Sequence, residues 1–570
     1  MAREKLPASE NAVNEPANLA EQATESMLGP NPFIGLRLQD ITASFKTIGR
    51  QAVQDPKLLI EQEAALIRDL ISVMAGQSEL APPKGDKRFA DPAWQTIPLY
   101  RMVLQSYFAW TNALQGFVDR TTLDDRTKDR ARFAISLMTD ALAPTNTLFG
   151  NPVALRKTWE TGGKNLMDGM KNFIGDIKNN GGLPSQVDKK AFTVGKNLAL
   201  SPGAVVFRNP VLELIQYSPA TETVYERPHL IVPPEINKFY VFDLSPGKSM
   251  IEYMTKHGVQ IFTVSWRNPT AEHKDWGMDT YVAALREAMD AVRDITGSPD
   301  LIIHAACSGA MTAAALAAYL AANGDTSIHA LTMMVAVLGQ AKEGTMALFA
   351  TDETTAAAKL KSGTAGVLDG MEMNRIFAWL RPNDLVWNYW VNNYLMGNAP
   401  PVFDILYWSN DSTRLPGAFH GELIDIFADN LLVKPGAMKV LGIPIDLGKI
   451  TCDKMFIAGM TDHITPWKDV YNSAQAFGGK TEFVLSNSGH IQSLVNPPGN
   501  PKAQFFLNPD LVPSSDDWLK QAAPTSGSWW DLWRNWASER SGNMRPAPKT
   551  LGNKRHKPTS KAPGTYVLES

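Results

Sequence analysis

The stretch LIIHAACSGAMTAAALAAYLAA (301–322) joins a short apolar run to an alanine-rich segment through a turn of small residues. Its first six residues (301–306) predict a buried strand, and residues 311–322 predict a buried helix. Cys307 lies at the junction, within the pentapeptide AACSG. This pattern is typical of a nucleophile elbow, a sharp strand-to-helix turn that presents a reactive side chain at a helix N-terminus. The alternative, an inert cysteine at the end of a buried strand, fits the turn equally well by itself.

Strands and helices alternate on both sides of this stretch. The predicted strands are NKFYVFDLS (237–245), VQIFTVSW (259–266), LIIHAA (301–306), KMFIAGM (454–460) and TEFVLS (481–486). Helices are predicted between the first three strands, over 249–257 and 279–295, because apolar residues recur there at spacings of three and four. This alternation indicates parallel strand pairing through right-handed crossovers, and therefore an open α/β sheet.

Two further residues complete a catalytic triad in chain order. Asp462 follows the run 454–460, and His490 follows the run 481–486. Enzymes with the α/β-hydrolase fold carry nucleophile, acid and histidine in this order, the last two in loops after late strands. We therefore predict an α/β-hydrolase fold with a mainly parallel sheet, in which Cys307, Asp462 and His490 are catalytic.

The predicted roles follow from proton affinity. A cysteine thiol has a pKa of about 8.5 and needs a base to become a nucleophile at neutral pH. His490 is predicted to take the thiol proton, Asp462 to hold the imidazole tautomer, and the backbone N–H of Ser308 to donate to the oxyanion. His463, beside the acid, is predicted to assist proton transfer, with capping of the loop as the alternative.

A cysteine nucleophile favours acyl transfer over hydrolysis. Transfer from a thioester to a thiol yields another thioester of similar energy, so the acyl group remains activated for a second transfer. A serine ester loses that activation.

The chain of 570 residues exceeds the usual size of one core and predicts two folded domains. The predicted divisions are a disordered N-terminal tail (1–30), a helical N-terminal domain (31–200), a catalytic domain (201–540) and a basic, flexible C-terminal tail (541–570). The N-terminal domain is predicted from helical periodicity over 58–74 and 97–114. Residues of about 340–440 interrupt the strand–helix alternation and predict a cap insertion, either a lid or an extra helical layer.

Composition excludes several classes of protein. The net charge of −3 provides no global attraction to nucleic acid. Only two cysteines occur, Cys307 and Cys452, which argues against a disulfide framework and for a reducing compartment. Residues 1–10 lack the apolar core of a signal peptide, and no apolar stretch is long enough to predict a transmembrane segment. We expect a cytoplasmic protein.

Beyond the elbow and the triad, long motifs along nearly the whole chain resemble those of the polyhydroxyalkanoate (PHA) synthase family, specifically its class II, medium-chain-length branch. The motifs are PPEINKFYVFDLSPGKS (233–249), VSWRNP (264–269), YWSNDSTRLPGAFH (407–420), GMTDHITPW (459–467) and SNSGHIQSLVNPPGNPKA (486–503), with DKRFADPAW (86–94), APTNTLFGNP (143–152), VVFRNPVLELIQYSP (205–219) and APGTYVLE (562–569). The resemblance departs from the family box Gly-x-Cys-x-Gly-Gly at Ala305 and Ala310. A methyl group there is costly if the backbone needs positive φ, at about 1–2 kcal/mol per residue.

The resemblance implies the chemistry and the partners. It implies that Cys307 is the nucleophile, that His490 is its base, and that Asp462 also helps His490 to activate the 3-hydroxyl of the incoming unit. Ile236 matches the position of the second oxyanion N–H donor. The implied substrates are (R)-3-hydroxyacyl-CoA thioesters and a growing polyester chain, with no cofactor, prosthetic group or metal. The implied state is a homodimer on cytoplasmic PHA granules, in contact with the granule surface and granule-associated proteins.

Two other functions compete with polymerisation. A thioesterase or esterase with the same triad transfers the acyl group to water. A non-catalytic granule scaffold needs no triad at all, and the intact order of Cys307, Asp462 and His490 argues against it. Neither composition nor motif determines the preferred side-chain length of the substrate.

Overall fold

The computed structural model of the protein describes residues 38–339, 350–370, 378 and 382–570. These residues fall into two compact units. The first unit consists of residues 38–189 and the described part of 378–403, and the second of residues 190–370 and 404–570 without the gaps. The predicted N-terminal tail, residues 1–30, lies outside the described residues.

The first unit is helical. An aspartate cap and a proline in the first turn begin the helix Pro56–Met74, where the Asp55 carboxylate accepts the Leu58 N–H at 3.0 Å. A core of aromatic rings packs around Phe89, Trp94 and Phe108. The helices predicted over 58–74 and 97–114 are confirmed as α2 and α4. The helices are α1 (Leu38–Gln54), α2 (Pro56–Met74), α3 (Ala93–Thr96), α4 (Pro98–Arg120), α5 (Asp125–Ala141), α6 (Pro152–Glu160) and α7 (Lys164–Asn179).

Residues 382–403 belong to the first unit, although they were predicted as part of the cap of the catalytic domain. Two π-helical turns, Asn383–Trp387 and Val391–Leu395, flank one short helical turn there. The Leu395 carbonyl accepts the side-chain N–H of Asn165 at 2.7 Å. The amide side chains of Asn165 and Asn172 in α7 thus donate to this backbone, a long-range contact that sequence periodicity does not reveal. Residues 340–349, 371–377 and 379–381 of the predicted cap lie outside the described residues.

The second unit contains a sheet of eleven strands among the described residues, in the order β15-β14-β13-β12-β7-β6-β4-β5-β2-β1-β17. The strands of the unit are β1 (Gly203–Arg208), β2 (Leu212–Tyr217), β3 (Thr223–Tyr225), β4 (His229–Val232), β5 (Ile261–Trp266), β6 (Leu301–Ala306), β7 (Ile328–Met334), β8 (Val367–Leu368), β9 (Leu415–Pro416), β10 (Lys439–Val440), β11 (Ile443–Pro444), β12 (Asp453–Gly459), β13 (Thr481–Ser486), β14 (Gln504–Leu507), β15 (Ala523–Ser526), β16 (Met544–Pro546) and β17 (Ser560–Lys561). The six central strands, from β13 to β5, pair in parallel, and the outer strands pair antiparallel. The predicted mainly parallel sheet is confirmed.

Helices connect the parallel strands of this sheet. The helix after β6 is apolar around its whole circumference, and most of its residues are buried, as the alanine-rich sequence predicts. The helices are α8 (Met250–Thr255), α9 (Met278–Thr296), α10 (Cys307–Ala322), α11 (Asp352–Ala365), α12 (Asp404–Ser409), α13 (Gly417–Asp429), α14 (Trp467–Ala474), α15 (His490–Leu494), α16 (Ser515–Gln521) and α17 (Trp529–Glu539).

The segment 237–245 is not the predicted strand. It forms a single 3-10 turn, Phe239–Phe242, and the strand of the sheet is β4, which precedes it. Two prolines, Pro233 and Pro234, directly follow β4 and have no N–H to donate to a strand ladder. The aromatic residues of the turn are buried, and a buried apolar run has the same appearance in either conformation.

Residues 541–570 are not the flexible tail that their basic composition predicts. Strand β16 pairs with β3, and β17 adds to the edge of the main sheet beside β1. The buried Glu213 carboxylate of β2 accepts the backbone N–H groups of Thr565 and Tyr566, at 2.8 and 3.0 Å. A buried carboxylate must find donors, and the tail supplies them.

Candidate active site

Cys307 occupies a strained backbone position at the end of β6. Its φ of 50° lies in the left-handed region, which non-glycine residues rarely adopt. The strand ends one residue earlier, and α10 begins at Cys307 itself. Two residues later, a Cβ built on Gly309 would lie 2.2 Å from the Pro233 carbonyl oxygen. The chain thus makes the predicted elbow, and only glycine fits at position 309.

Ala305 and Ala310, which replace glycines of the family box, lie in regular structure. Ala305 belongs to β6 and Ala310 to α10, both are fully buried, and neither has a positive φ. The condition under which their methyl groups would be costly is therefore not met.

The structure brings the three predicted triad residues together. The Nδ1 nitrogen of His490 lies 2.7 Å from Oδ2 of Asp462, and Cys307 lies close enough to the same imidazole to help raise its pKa. Asp462 and His490 are buried, whereas Cys307 is half-buried. With Nδ1 held by the carboxylate, the other nitrogen of the ring serves the thiol. The arrangement matches that of a nucleophile, its base and an orienting acid.

The electrostatics of the site favour an ionised Asp462 paired with a protonated His490. Burial acts to lower the pKa of His490, but the charge and hydrogen bond of Asp462, with smaller contributions from Cys307, raise it to about 10. Burial acts to raise the pKa of Asp462, but the charge and hydrogen bond of His490 hold it below its ordinary value. The imidazole therefore binds a proton firmly next to the sulfur, as a general base needs once it has taken the proton of a thiol.

Thr465 is a residue of the site that sequence reasoning missed. Its hydroxyl donates to Asp462 Oδ2 at 2.7 Å and lies 3.1 Å from His490 Nδ1. Asp462 Oδ1 also accepts the backbone N–H groups of Ile464 and Thr465, at 2.9 and 3.0 Å. The signal was available, because an aspartate often accepts N–H groups two and three residues later in its loop. His463 neighbours Asp462 in this loop, and its auxiliary role stays a prediction.

The two predicted oxyanion donors come from neighbouring parallel strands. Ser308 lies in the first turn of α10, where backbone N–H groups lack partners within the helix. Ile236 lies in the segment after β4, and its N–H has no acceptor among the described residues. The Ser308 hydroxyl accepts the N–H of Glu235 at 3.1 Å, which ties this segment to α10. Both N–H groups therefore belong to segments that are fastened beside Cys307.

Other candidate groups lie away from the triad. Cys452 is half-buried, and burial raises the pKa of its thiol. Within the part of the chain that the structure describes, no three His, Cys, Asp or Glu side chains are grouped as metal ligands. None of the helices in that part combines the length and the apolar character of a membrane span.

Comparison with known proteins places this chain in a family. A family model described as the N-terminus of poly-beta-hydroxybutyrate polymerase (PhaC) matches residues 85–254, and a model of the alpha/beta hydrolase fold matches residues 240–497. The chain is 53% identical over 551 residues to poly(3-hydroxyalkanoate) polymerase 1 of Ectopseudomonas oleovorans, covering 97% of this chain and 98% of that protein. It is 48% identical over 544 residues to polymerase 2 of the same organism, covering 95% and 97% of the two chains. Among solved structures, a putative lipase from Sulfolobus solfataricus matches with a TM-score of 0.36 and 11% identity, over 59% of this chain and 99% of that one.

The relatives and the geometry agree on one assignment. Two polymerases match almost from end to end, and the structure joins a cysteine, a histidine and an aspartate at the carboxyl ends of parallel strands. The predicted resemblance is confirmed, and the chain belongs to the poly(3-hydroxyalkanoate) polymerase family.

Proposed function

We propose that this protein is an acyltransferase that polymerises (R)-3-hydroxyacyl-CoA into polyhydroxyalkanoate and releases CoA. The observation that carries the proposal is the grouping of Cys307 with the hydrogen-bonded pair His490–Asp462 in a protein 53% identical to a named polymerase. The cysteine suits this task because a thioester on sulfur keeps the acyl group activated.

The first half of the reaction loads the enzyme. Cys307 Sγ, ionised because His490 holds its proton, attacks the carbonyl carbon of the CoA thioester. The N–H groups of Ser308 and Ile236 stabilise the oxyanion of the tetrahedral intermediate. The C–S bond to CoA then breaks, and the CoA sulfur leaves with the proton from His490. The products are an acyl thioester on Cys307 and free CoA.

The second half extends the polymer. The 3-hydroxyl of an incoming hydroxyacyl-CoA attacks the thioester on Cys307, and His490 accepts the hydroxyl proton, supported by the charge of Asp462. The bond between acyl carbon and Cys307 sulfur breaks, and the thiol recovers its proton. The chain, now one unit longer and esterified to the new unit, is a CoA thioester that can load the cysteine again.

The finer features of the proposal rest on the family and on the surface of the first unit. We infer medium-chain substrates, homodimers and attachment to cytoplasmic PHA granules with their associated proteins. Granule attachment is supported by α7, which exposes Met167, Met170, Ile174 and Ile177 at helical spacing. Rates of CoA release from 3-hydroxybutyryl-CoA and 3-hydroxyoctanoyl-CoA test the chain-length preference.

Hydrolysis is the competing reaction of the same triad. A hydrolase releases CoA and free hydroxy acid and leaves the solution clear, whereas a polymerase releases CoA and produces turbid, insoluble polyester. The polymerase names of the full-length relatives argue against hydrolysis.

The test compares the two cysteines of the chain. Wild type, C307A and C452A are incubated with 3-hydroxyoctanoyl-CoA, and CoA release, turbidity and soluble hydroxy acid are measured. We expect turnover and turbidity from wild type and C452A, and none from C307A. Turnover by C307A, or a clear wild-type solution that accumulates hydroxy acid, would contradict the proposal.

A further inference from the structure

Glu235 is a buried carboxyl group between the two oxyanion-donor segments. It precedes Ile236 directly, and only 2% of its surface is exposed. The Thr312 hydroxyl of α10 donates to its Oε1 at 2.6 Å, and its own N–H donates to the Ser308 hydroxyl at 3.1 Å. Its carbonyl oxygen accepts the hydroxyl of Thr413. Glu235 therefore connects the Ile236 segment to the helix that begins at the nucleophile.

The surroundings of Glu235 do not suit a negative charge. Its Oε2 is buried and has no hydrogen-bond partner within the described part of the chain. A buried carboxylate with an unpaired oxygen and no cation beside it pays a large desolvation cost. Burial raises the pKa of Glu235 to about 7, although the hydrogen bonds of Ser308 and Thr312 act to lower it. The neutral acid is thus the form that this pocket favours below about pH 7.

The titratable groups around Glu235 are few. From α9, the nearest titratable group is the buried Tyr281, whose pKa is raised by burial and, to a smaller extent, by the charge of Glu235. From α10, Ser308 and Thr312 contact it, and neither carries a charge. On its own segment, Lys238 is occupied by an ion pair with Asp411 at 2.8 Å.

We propose that Glu235 is a positioning residue that works as an uncharged carboxylic acid, holding the Ile236 N–H beside the N-terminal turn of α10, and that its ionisation slows acyl transfer. The inference rests on the proposed roles of Cys307 and Ile236. Ionisation would place a negative charge on the residue next to Ile236, whose N–H is to stabilise the oxyanion, in a medium that screens poorly. It would also weaken the pocket that fixes the Ile236 segment.

The experiment measures kcat of full-length wild type, E235Q and T312V with 3-hydroxyoctanoyl-CoA at pH values from 6 to 9. The rate is read from the decrease in thioester absorbance. Glutamine keeps the shape of the acid and removes its titration. We expect the ratio of E235Q to wild-type kcat to rise through neutral pH and to reach about 10 at pH 8, as for a single ionisation near pH 7. T312V removes a hydrogen-bond donor that stabilises the ionised Glu235, so the pKa of Glu235 should rise. The kcat of T312V should therefore decline at a higher pH than that of wild type.

The double variant E235Q/T312V is the matched control, because without an ionisable group at position 235 the T312V substitution should no longer move the profile. A profile of E235Q parallel to that of wild type at every pH would overturn the inference, as would a T312V shift that persists in the double variant. If circular dichroism shows that E235Q does not fold, the pH profile of T312V alone decides. A decline that moves to higher pH than in wild type supports the inference, and one that stays in place or moves to lower pH overturns it. The C307A variant distinguishes failure of the proposed function from failure of the Glu235 inference. Turnover by C307A would refute the proposed function itself, and not only the role of Glu235.

Discussion

The elbow predicts that G309A is severely impaired although the change adds only one methyl group. The new Cβ would lie 2.2 Å from the Pro233 carbonyl oxygen, 2.7 Å from its carbon and 2.8 Å from the Val232 oxygen. All three atoms belong to the backbone, so no rotation of a side chain relieves the overlap. α10 and the segment after β4 must instead move apart by about 1 Å, since non-bonded carbon atoms settle near 3.5–4.0 Å.

This displacement changes the distance between catalytic groups. Pro233 lies three residues before Ile236, and Gly309 lies two residues after Cys307, so a shift between them moves an oxyanion donor away from the nucleophile. Overpacking of this kind costs about 1–3 kcal/mol of stability. A misplacement of about 1 Å at reacting groups costs about 100-fold in rate. We therefore expect G309A to lose about 100-fold in kcat and to unfold at a lower temperature.

The assay is steady-state CoA release together with thermal unfolding, with A310G as the matched control. Ala310 is the next residue, is fully buried and has helical backbone. Its replacement by glycine costs about 1 kcal/mol in helix propensity but creates no overlap with Pro233. A310G, like A305G, should keep kcat within about threefold of wild type, since neither alanine has the conformation that demands glycine. If G309A retained wild-type kcat and melting temperature, the steric account of the elbow would be wrong.

Three further predictions concern the acid, a buried histidine and the C-terminal segment. D462N removes the charge that raises the pKa of His490, so kcat should fall by about 10³–10⁴-fold in the CoA-release assay, and a fall below tenfold would contradict the role of the acid. Burial lowers the pKa of His229 to about 3, so the unfolded chain takes up this proton as pH drops below 6.5 while the folded chain does not until pH 3. The free energy of unfolding in urea should fall by about 2.3 kcal/mol from this group between pH 6.5 and 4.5, with a smaller fall in H229Q. Y566A removes a buried ring that lies 4.3 Å from the Arg267 guanidinium, so it should cost about 3 kcal/mol and expose residues 541–570 to protease, which limited digestion checks.

The central sheet and the triad could be predicted because their signals are local. The runs LIIHAA and TEFVLS coincide residue for residue with β6 and β13, since each is a short apolar run bounded by turn residues. The order of nucleophile, acid and histidine then follows from the loops after the strands. Parallel strands bring those loops to one edge of the sheet, so residues far apart in sequence meet there.

The remaining features depend on partners that are distant in sequence. Nothing near Thr565 indicates that its N–H will meet the buried Glu213, so composition alone predicted a solvated tail. The prolines at 233 and 234 did carry a signal against a strand, but the buried aromatic run after them outweighed it. Glu235 reads as an ordinary exposed acid, and only its contact with Thr312 reveals a buried one.

The sheet order also explains why the site depends on loops as much as on strands. β6 and β13 are not neighbours, because β7 and β12 lie between them, and adjacent strands are about 4.8 Å apart. Cys307 and His490 therefore follow strands separated by three spacings, and the loop after β13 must reach along the sheet edge toward the cysteine. Asp462 and Thr465, in the loop after β12, hold the imidazole by hydrogen bonds. Substitutions inside the strands should thus act first on stability, whereas substitutions in these loops should act first on rate.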